Sequence, residues 1–393
     1  MPSVCLIFKV HETPRLRHYS FFDIGTKTAY EDDVGTCAHL DGVTHQCYLP
    51  ATRILLKQVK EYKGDFRLAI SLSGMAIDLF ERFQPELLDQ FKRLANSDCV
   101  EFLCEPYFHS LAFIFSKSEF RTQIDLHRKK LALLFGKIPA TLHDQALKYN
   151  NDVALEADAS GFNVIVASGT KRILDGRSIN RVYQPESFPK LKLLFKNPLL
   201  SDTLTPLSPA SEAPQLPSIA SQFMSRLIPK QGEVITLSTD LKAFKEHLPC
   251  EVGTMEFLNH FPGALLACKN FQFKTPTQAV NTHAPCGSVS IPGSTSREMA
   301  EQESPEWIGN EMQKDAMHGL YLLEQEVKAH PDPAILQTWR QLQVSDHFLY
   351  MNTRHLTEVR SDAATPYHSP YDAYINFMNI LTDFSERLAT HPA

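Results

Sequence analysis

Short apolar runs recur along this chain, and most are followed by a stretch in which apolar residues repeat at helical spacing. Residues 3–10 make the first run, 66–72 (Phe-Arg-Leu-Ala-Ile-Ser-Leu) the second, and Val100-Glu101-Phe102-Leu103 the third. Ile138 to Leu142, Asn163 to Ala167, Leu191 to Phe195 and Glu233 to Leu237 continue the series. Between them, Leu87, Leu88, Phe91 and Leu94 predict a helix over 85–96, and helical patterns extend over 107–135 and 147–159. Strand alternating with helix requires parallel strands joined by helical crossovers. A chain of 393 residues is long enough for an α/β barrel with a smaller helical part attached.

Pro206, Pro209, Pro214 and Pro217 lie among Ser and Ala and predict a surface loop at 206–218 inside the barrel, because strand signal resumes at Glu233. A second loop-rich stretch covers 281–298, and beyond it the pattern is helical. Leu320, Leu322, Leu323 and Val327 mark one helix there; Ile375, Met378, Leu381 and Phe384 mark the last. The expected division is a barrel domain over 1–294 and a helical bundle over 295–393. A formal net charge of −6 and the lack of a long basic stretch argue against nucleic acid, which needs clustered Lys and Arg. The amino-terminal run reads as a buried strand and not as a signal peptide, and no run of roughly 18 apolar residues predicts a membrane span. A cytoplasmic location is the resulting expectation. The eight cysteines show no C-x-x-C pair and read as free thiols, Cys5 and Cys268 inside apolar runs; His283 and Cys286 have metal-like spacing without a second half, so no metal is expected.

In an α/β barrel the chemistry sits at the carboxyl ends of the strands. Reading outward from each run gives His11 and Glu12, Glu105 and His109, His143 and Asp144, and Asp240. Acids and imidazoles in these places suit glycosidic chemistry, which uses two carboxyl groups with hydrogen-bonding neighbours. A lone acid after a strand also serves as a helix cap or turn residue; four such places in one alternating chain favour a site. Phosphate-binding glycine motifs, G-x-S-x-G and H-E-x-x-H are all missing from the sequence, which removes the main nucleotide, serine-hydrolase and zinc-protease readings.

Several segments resemble known ones. Val10-His11-Glu12-Thr13-Pro14-Arg15-Leu16-Arg17, followed by Tyr19 and Phe21-Phe22-Asp23-Ile24-Gly25, is similar to the opening of α-amylases of glycoside hydrolase family 57. Cys47-Tyr48-Leu49-Pro50-Ala51, Val100-Glu101-Phe102-Leu103 with Glu105, Tyr107, His109 and Ser110, Trp307 to Ala316, and Ser369 to Asn379 extend the resemblance nearly end to end and in order. The resemblance implies an incomplete seven-stranded (β/α) barrel followed by a helical bundle, and a retaining mechanism on α-1,4-glucans that uses no metal or organic cofactor. His11, Glu105, His109, Asp144 and Trp307 then fall at positions expected to contact sugar, although Trp307 is equally at home in a core. Tyr374 and Phe377 read as core and His247 as undecided.

The acid/base of that family lies in Met-Asp-Tyr-Glu-Thr-Phe-Gly-Glu-His. Thr239-Asp240-Leu241-Lys242-Ala243-Phe244-Lys245-Glu246-His247 matches it through Phe244, Glu246 and His247, which places the acid/base at Asp240, in surroundings changed by Leu241, Lys242 and Lys245. The nucleophile segment reads Asn-Thr-Glu followed by two hydrophobic residues and Tyr-Asn-Asn. Its counterpart is Asp144-Gln145-Ala146-Leu147-Lys148-Tyr149-Asn150-Asn151, and Ala146 occupies the Glu position. The resemblance therefore implies a protein that binds α-glucan or maltooligosaccharide with hydrolysis lost or reduced. Two alternatives stay open: an active amylase or 4-α-glucanotransferase with a relocated carboxylate (Asp144 or Glu105) opposite Asp240, and a protein that uses only the fold. If the strand stays regular, Asp144 points to the same side as Ala146 about 6 to 7 Å away along the strand; its blander role is to cap the helix that follows.

Overall fold

The computed structural model describes residues 1–26, 29–169, 171–201, 204, 232–244, 254–292, 305–353 and 365–390. The proline-rich stretch 206–218 and His247 lie outside these. Seven parallel strands form the centre: β1 (Ser3–Val10), β2 (Leu68–Leu72), β3 (Val100–Leu103), β4 (Thr141–Lys148), β5 (Val164–Ser168), β6 (Lys192–Lys196) and β7 (Val234–Asp240). They are hydrogen-bonded in the order β3-β2-β1-β7-β6-β5-β4. A parallel bridge between Cys104 and Leu142 joins the two ends of that order: the Cys104 N–H donates to the Thr141 carbonyl at 2.9 Å, and its carbonyl accepts from the His143 N–H at 2.8 Å. Sequence neighbours are therefore ring neighbours, as in an incomplete (β/α) barrel. The β6–β7 ladder is short, paired at Lys196 and Thr236.

Strand alternation separates two cores. Val4, Leu6, Phe8, Val10, Leu68, Ile70 and Leu72 pack with Leu55, Leu79, Phe80 and Phe91 of the surrounding helices. Cys5, Ile7, Ala69, Leu103, Val164, Val166, Leu194 and Val234 form a second cluster, the filling of the barrel, with Ala279 and Val280 of the helix Pro276–Thr282. Successive strand side chains face opposite sides, so the outer set makes the helix contacts and the inner set fills the lumen. Lower in the lumen the Glu101 carboxylate accepts from the Thr277 hydroxyl at 2.6 Å and the Thr277 N–H at 3.0 Å. Burial, followed by the nearby Glu101 charge, pushes the Cys5 thiol far up, so it is inert.

Several local expectations shift. β4 begins at Thr141, not Ile138, which is 70% exposed, and continues through Lys148. The next helix starts at Asn151 and is capped by Asn150, whose side chain accepts from the Val153 N–H at 3.0 Å. The stretch expected as one helix over 107–135 is regular only over Lys117–Phe135, preceded by turns and the short helix Ala112–Phe115. Cys268 is exposed in the turn after the helix Thr254–Ala267, whereas Cys5, Cys47, Cys99 and Cys104 are buried. Thr44–Tyr48 forms a π-helical segment before the helix Leu49–Glu61. Pro50 supplies the reason: it has no N–H for the preceding turn and its ring crowds that turn's carbonyl, which a wider turn accommodates.

The chain divides into two compact bodies. One comprises Met1–His11, Ala38–Glu105 and Ile124–Gly293; the other comprises Glu12–Cys37, Pro106–Gln123 and Ser294–Ala393. The second body is helical, with Glu311–Leu322, Pro333–Gln341 and Pro370–Thr390 as its longer elements. Trp339 is fully buried and its indole N–H donates to the Leu320 carbonyl at 2.8 Å. In the last helix Phe377 and Phe384 are buried as expected, but Ile375 is 56% exposed and Tyr374 is half-buried, its hydroxyl donating to Asp315 at 2.6 Å. Polar residues take the face that Ile375 was expected to share. Asn376 accepts from the Tyr19 N–H at 2.6 Å, and Asp383 accepts from the Gly25 N–H at 2.6 Å and the Tyr30 hydroxyl at 2.5 Å.

Candidate active site

The inner set of strand residues, followed toward the carboxyl ends, changes from apolar to polar. On β1 the inward series Cys5, Ile7 continues to Lys9 and His11; on β2 Ala69 continues to Ser71 and Ser73; on β7 Val234 continues to Thr236, Ser238 and Asp240. The register makes the layers explicit, pairing Lys9 with both Ser71 and Asp240. Leu103 continues to Glu105, and on β5 and β6 the same alternation reaches Ser168 and Lys196, which pair with each other. His11, Glu105 and Asp240, predicted from the sequence, therefore belong to one end of one lumen.

Hydrogen bonds hold this end in shape. His11 Nδ1 lies 2.7 Å from Ser73 Oγ, and His143 Nδ1 lies 2.9 Å from Ser71 Oγ. Ser73 also caps the helix Gly74–Phe83, its Oγ accepting from the Ala76 N–H at 3.2 Å. The Glu105 backbone N–H donates to His127 Nδ1 at 3.1 Å, so His127 carries its proton on Nε2, which donates to the Leu72 carbonyl at 2.8 Å. His127 thereby ties the end of β2 to the end of β3. Burial holds its pKa below the usual histidine range, outweighing the neighbouring Glu105 charge, and its ring is neutral. Asp240 ends β7 and caps the turn Leu241–Ala243, accepting from the Lys242 N–H at 3.1 Å. The Lys242 ammonium reaches the His11 carbonyl at 3.5 Å.

Ala146 and Asp144 lie on β4, where pairing with β5 loses register between His143 and Lys148. His143 pairs with Val166 and Lys148 with Ser168, so the pairing register is irregular across the stretch that contains both residues. The residues after it are firmly placed. Tyr149 is fully buried, Asn150 caps the next helix, and Asn151 exchanges bonds with Ile291: the Asn151 N–H donates to the Ile291 carbonyl at 2.8 Å, and its side-chain oxygen accepts from the Ile291 N–H at 3.0 Å.

Two predicted residues belong to the second body. His109 has φ of +51°, an uncommon left-handed setting for a residue with a Cβ. Its N–H donates to the Pro106 carbonyl at 2.8 Å and its carbonyl accepts from the Ser345 N–H at 3.2 Å. Trp307, in the short helix Pro305–Ile308, is 9% exposed and its indole N–H has no hydrogen-bond partner among the described residues. Sequence reasoning missed Lys9, Ser71, Ser73, His127 and Lys196. No cluster of His, Cys, Asp and Glu able to hold a metal occurs among the described residues, and no described helix is long and apolar enough to cross a membrane.

Comparison with known proteins places this architecture. Residues 5–292 match the sequence model of Glycosyl hydrolase family 57. The chain belongs to glycosyl hydrolase family 57. Among curated family relatives it is 29% identical to a Methanocaldococcus jannaschii protein described as "Putative alpha-amylase", over 96% of this chain and 83% of that one. The family 57 barrel is also seen in a branching enzyme from Thermococcus kodakaraensis solved in complex with glucose and additives. That structure matches with a TM-score of 0.68 and 11% identity over 99% of this chain and 90% of the enzyme. A 4-α-glucanotransferase from Thermococcus litoralis matches with a TM-score of 0.64 and 13% identity over 88% of this chain. This family 57 chain spans 56% of that enzyme's length. These structural likenesses establish the fold: a seven-stranded (β/α) barrel with added helices.

Proposed function

We propose that this family 57 protein binds α-1,4-glucans or maltooligosaccharides at the carboxyl ends of its barrel strands, with hydrolysis lost or strongly reduced because Ala146 stands at the nucleophile position. The substrate class comes from the relatives, among them the α-amylase-like protein and the 4-α-glucanotransferase. One observation carries the catalytic half of the reading. The assignment of Ala146 depends on the anchor Tyr149-Asn150-Asn151, and each anchor residue has a fixed structural task of its own in a core, a cap or a loop clasp. An alanine has no oxygen with which to form a glycosyl–enzyme ester. Losing a nucleophile costs on the order of 10⁴ to 10⁶ in rate, about 5 to 8 kcal/mol at the transition state.

In this reading Asp240 retains the acid/base position. His11, Glu105 and Asp144 of the barrel are the proposed sugar contacts, and for His109 and Trp307 a sugar contact is proposed on the family resemblance alone. A second reading has one observation in its favour: Glu105 is a buried carboxylate just beyond β3, its backbone pinned by His127. Calorimetry with maltoheptaose tests the first reading, which requires binding by the wild-type protein; no heat of binding at millimolar ligand would end it. Product analysis separates the two: the first expects Ala146→Glu to raise turnover of maltoheptaose by at least about 10³-fold, whereas the second expects wild-type turnover that disappears in Glu105→Gln.

A further inference from the structure

Three consecutive residues at the end of β2 each hold a different histidine. Ser71 bonds His143 Nδ1, Leu72 accepts from His127 Nε2, and Ser73 bonds His11 Nδ1. The three imidazoles come from β4, from the helix Lys117–Phe135 and from the end of β1, so this short stretch is a common rack for rings that are far apart in sequence.

The polarity of the two serine bonds follows from counting hydrogens. Ser73 is fully buried, and its Oγ already accepts from the Ala76 N–H. Among the described residues its single hydroxyl proton has one acceptor, His11 Nδ1. If the histidine donated instead, a buried hydroxyl proton would be left without an acceptor, a cost of the order of 1 to 3 kcal/mol. The Ser71 hydroxyl, in a residue 2% exposed, has His143 Nδ1 as its one hydrogen-bonding partner among the described residues, and the same argument gives the same direction. His127 needs no such argument, because a backbone N–H and a backbone carbonyl fix its tautomer.

We propose that Ser71 and Ser73 are positioning residues that hold His143 and His11 as neutral imidazoles with the proton on Nε2, giving both lumen rings the polarity of hydrogen-bond donors toward a ligand oxygen. The ligand half of this inference rests on the glucan-binding reading; the tautomer half does not. Neutral donors suit a polyol, whose hydroxyl and ring oxygens accept hydrogen bonds without calling for a further charge.

The experiment uses the full-length, ligand-free protein with ¹⁵N-labelled histidine and long-range ¹H–¹⁵N correlation near pH 7.5. His11 and His143 are assigned by single substitution, and His127 serves as an internal standard for the Nε2–H pattern. Both serine-bonded rings are expected to show that pattern. Ser73→Asp keeps an acceptor for the Ala76 N–H, and so keeps the helix cap, but replaces the hydroxyl donor by a second acceptor. It is expected to move the His11 proton to Nδ1 and to weaken maltoheptaose binding about tenfold. Ser73→Thr keeps the hydroxyl and is expected to restore both. Ser71→Ala, which touches no cap, is expected to release the His143 tautomer while the His127 signal stays in place. An Nδ1–H or imidazolium pattern at His11 and His143 in the wild type would overturn the proposal whatever the protein binds. The predicted tautomers together with no maltoheptaose binding would uphold the serine roles and remove the glucan reading. Equal affinities for wild type, Ser73→Asp and Ser73→Thr, with the tautomer moved, would overturn the ligand half.

Discussion

Asp240 has two tasks that a single substitution can separate. Its carboxylate caps the turn Leu241–Ala243, and its proton would serve glycosidic chemistry. Asparagine caps a turn about as well as aspartate but cannot transfer that proton. In an Ala146→Glu background, Asp240→Asn is therefore expected to abolish restored turnover with an unchanged melting temperature, whereas Asp240→Ala should also cost about 1 kcal/mol of stability through the lost cap. Thermal melts and a maltoheptaose assay on the same preparations decide this. Turnover persisting in the Ala146→Glu/Asp240→Asn double variant would remove Asp240 from the acid/base position. His109 gives a second handle at this scale. Its φ of +51° means that a β-branched replacement is strained while glycine is not, so His109→Val should destabilise the fold by about 1 to 2 kcal/mol relative to His109→Gly. Equal denaturation midpoints for the two variants would contradict that strain argument.

Among the elements, the helix Lys117–Phe135 carries a buried ion pair in the second body. Glu119 is fully buried, with Oε1 2.8 Å from Arg340 Nε, Oε2 3.5 Å from Lys328 Nζ, and Gln123 donating at 3.2 Å. Removing Arg340 leaves the buried Glu119 charge to the more distant Lys328, so Arg340→Leu is expected to cost about 3 kcal/mol in urea denaturation, and adding Glu119→Gln should recover most of it. A double variant no more stable than the single would show that packing, not the charge, is lost. That this helix was legible only in part has a physical cause. Its amphipathic spacing marks the regular portion, but the turns at 106–116 depend on the left-handed His109 and on bonds to distant residues such as Ser345, which no local pattern records. The barrel strands were legible because their buried runs are apolar. β4 was misplaced because its carboxyl half, Asp144 to Lys148, is mostly polar, while Ile138 is apolar yet exposed. Lys9 and Lys196 were overlooked for a related reason: a lysine in a strand reads as outward-facing, and only the register shows both on the lumen side. Ser71 and Ser73 are ordinary strand-end residues until the histidines that reach them are known.

For the molecule as a whole, the histidine rack makes stability depend on pH in a range where few other groups titrate. His127 is fully buried and neutral, with a pKa below the usual value because burial penalises its charged form. In the unfolded chain it titrates near 6.5. Above that pH neither state takes up a proton, and the contribution of the buried ring is fully present. As the pH falls below about 6.5 the unfolded chain binds a proton that the folded protein refuses, and stability is lost until the folded-state pKa is reached. One such group contributes a slope of up to about 1.4 kcal/mol per pH unit. His127→Gln isolates it, because the glutamine amide can accept from the Glu105 N–H and donate to the Leu72 carbonyl without titrating. Urea denaturation at pH 7.5 and 5.5 should show the wild type losing about 1 kcal/mol more than the variant between the two conditions. His11 and His143 stay in both proteins, so their contributions cancel in the difference. Equal losses for the two proteins would mean that the ring between the ends of β2 and β3 accepts a proton in place, and that the bridge it makes there is not a neutral one.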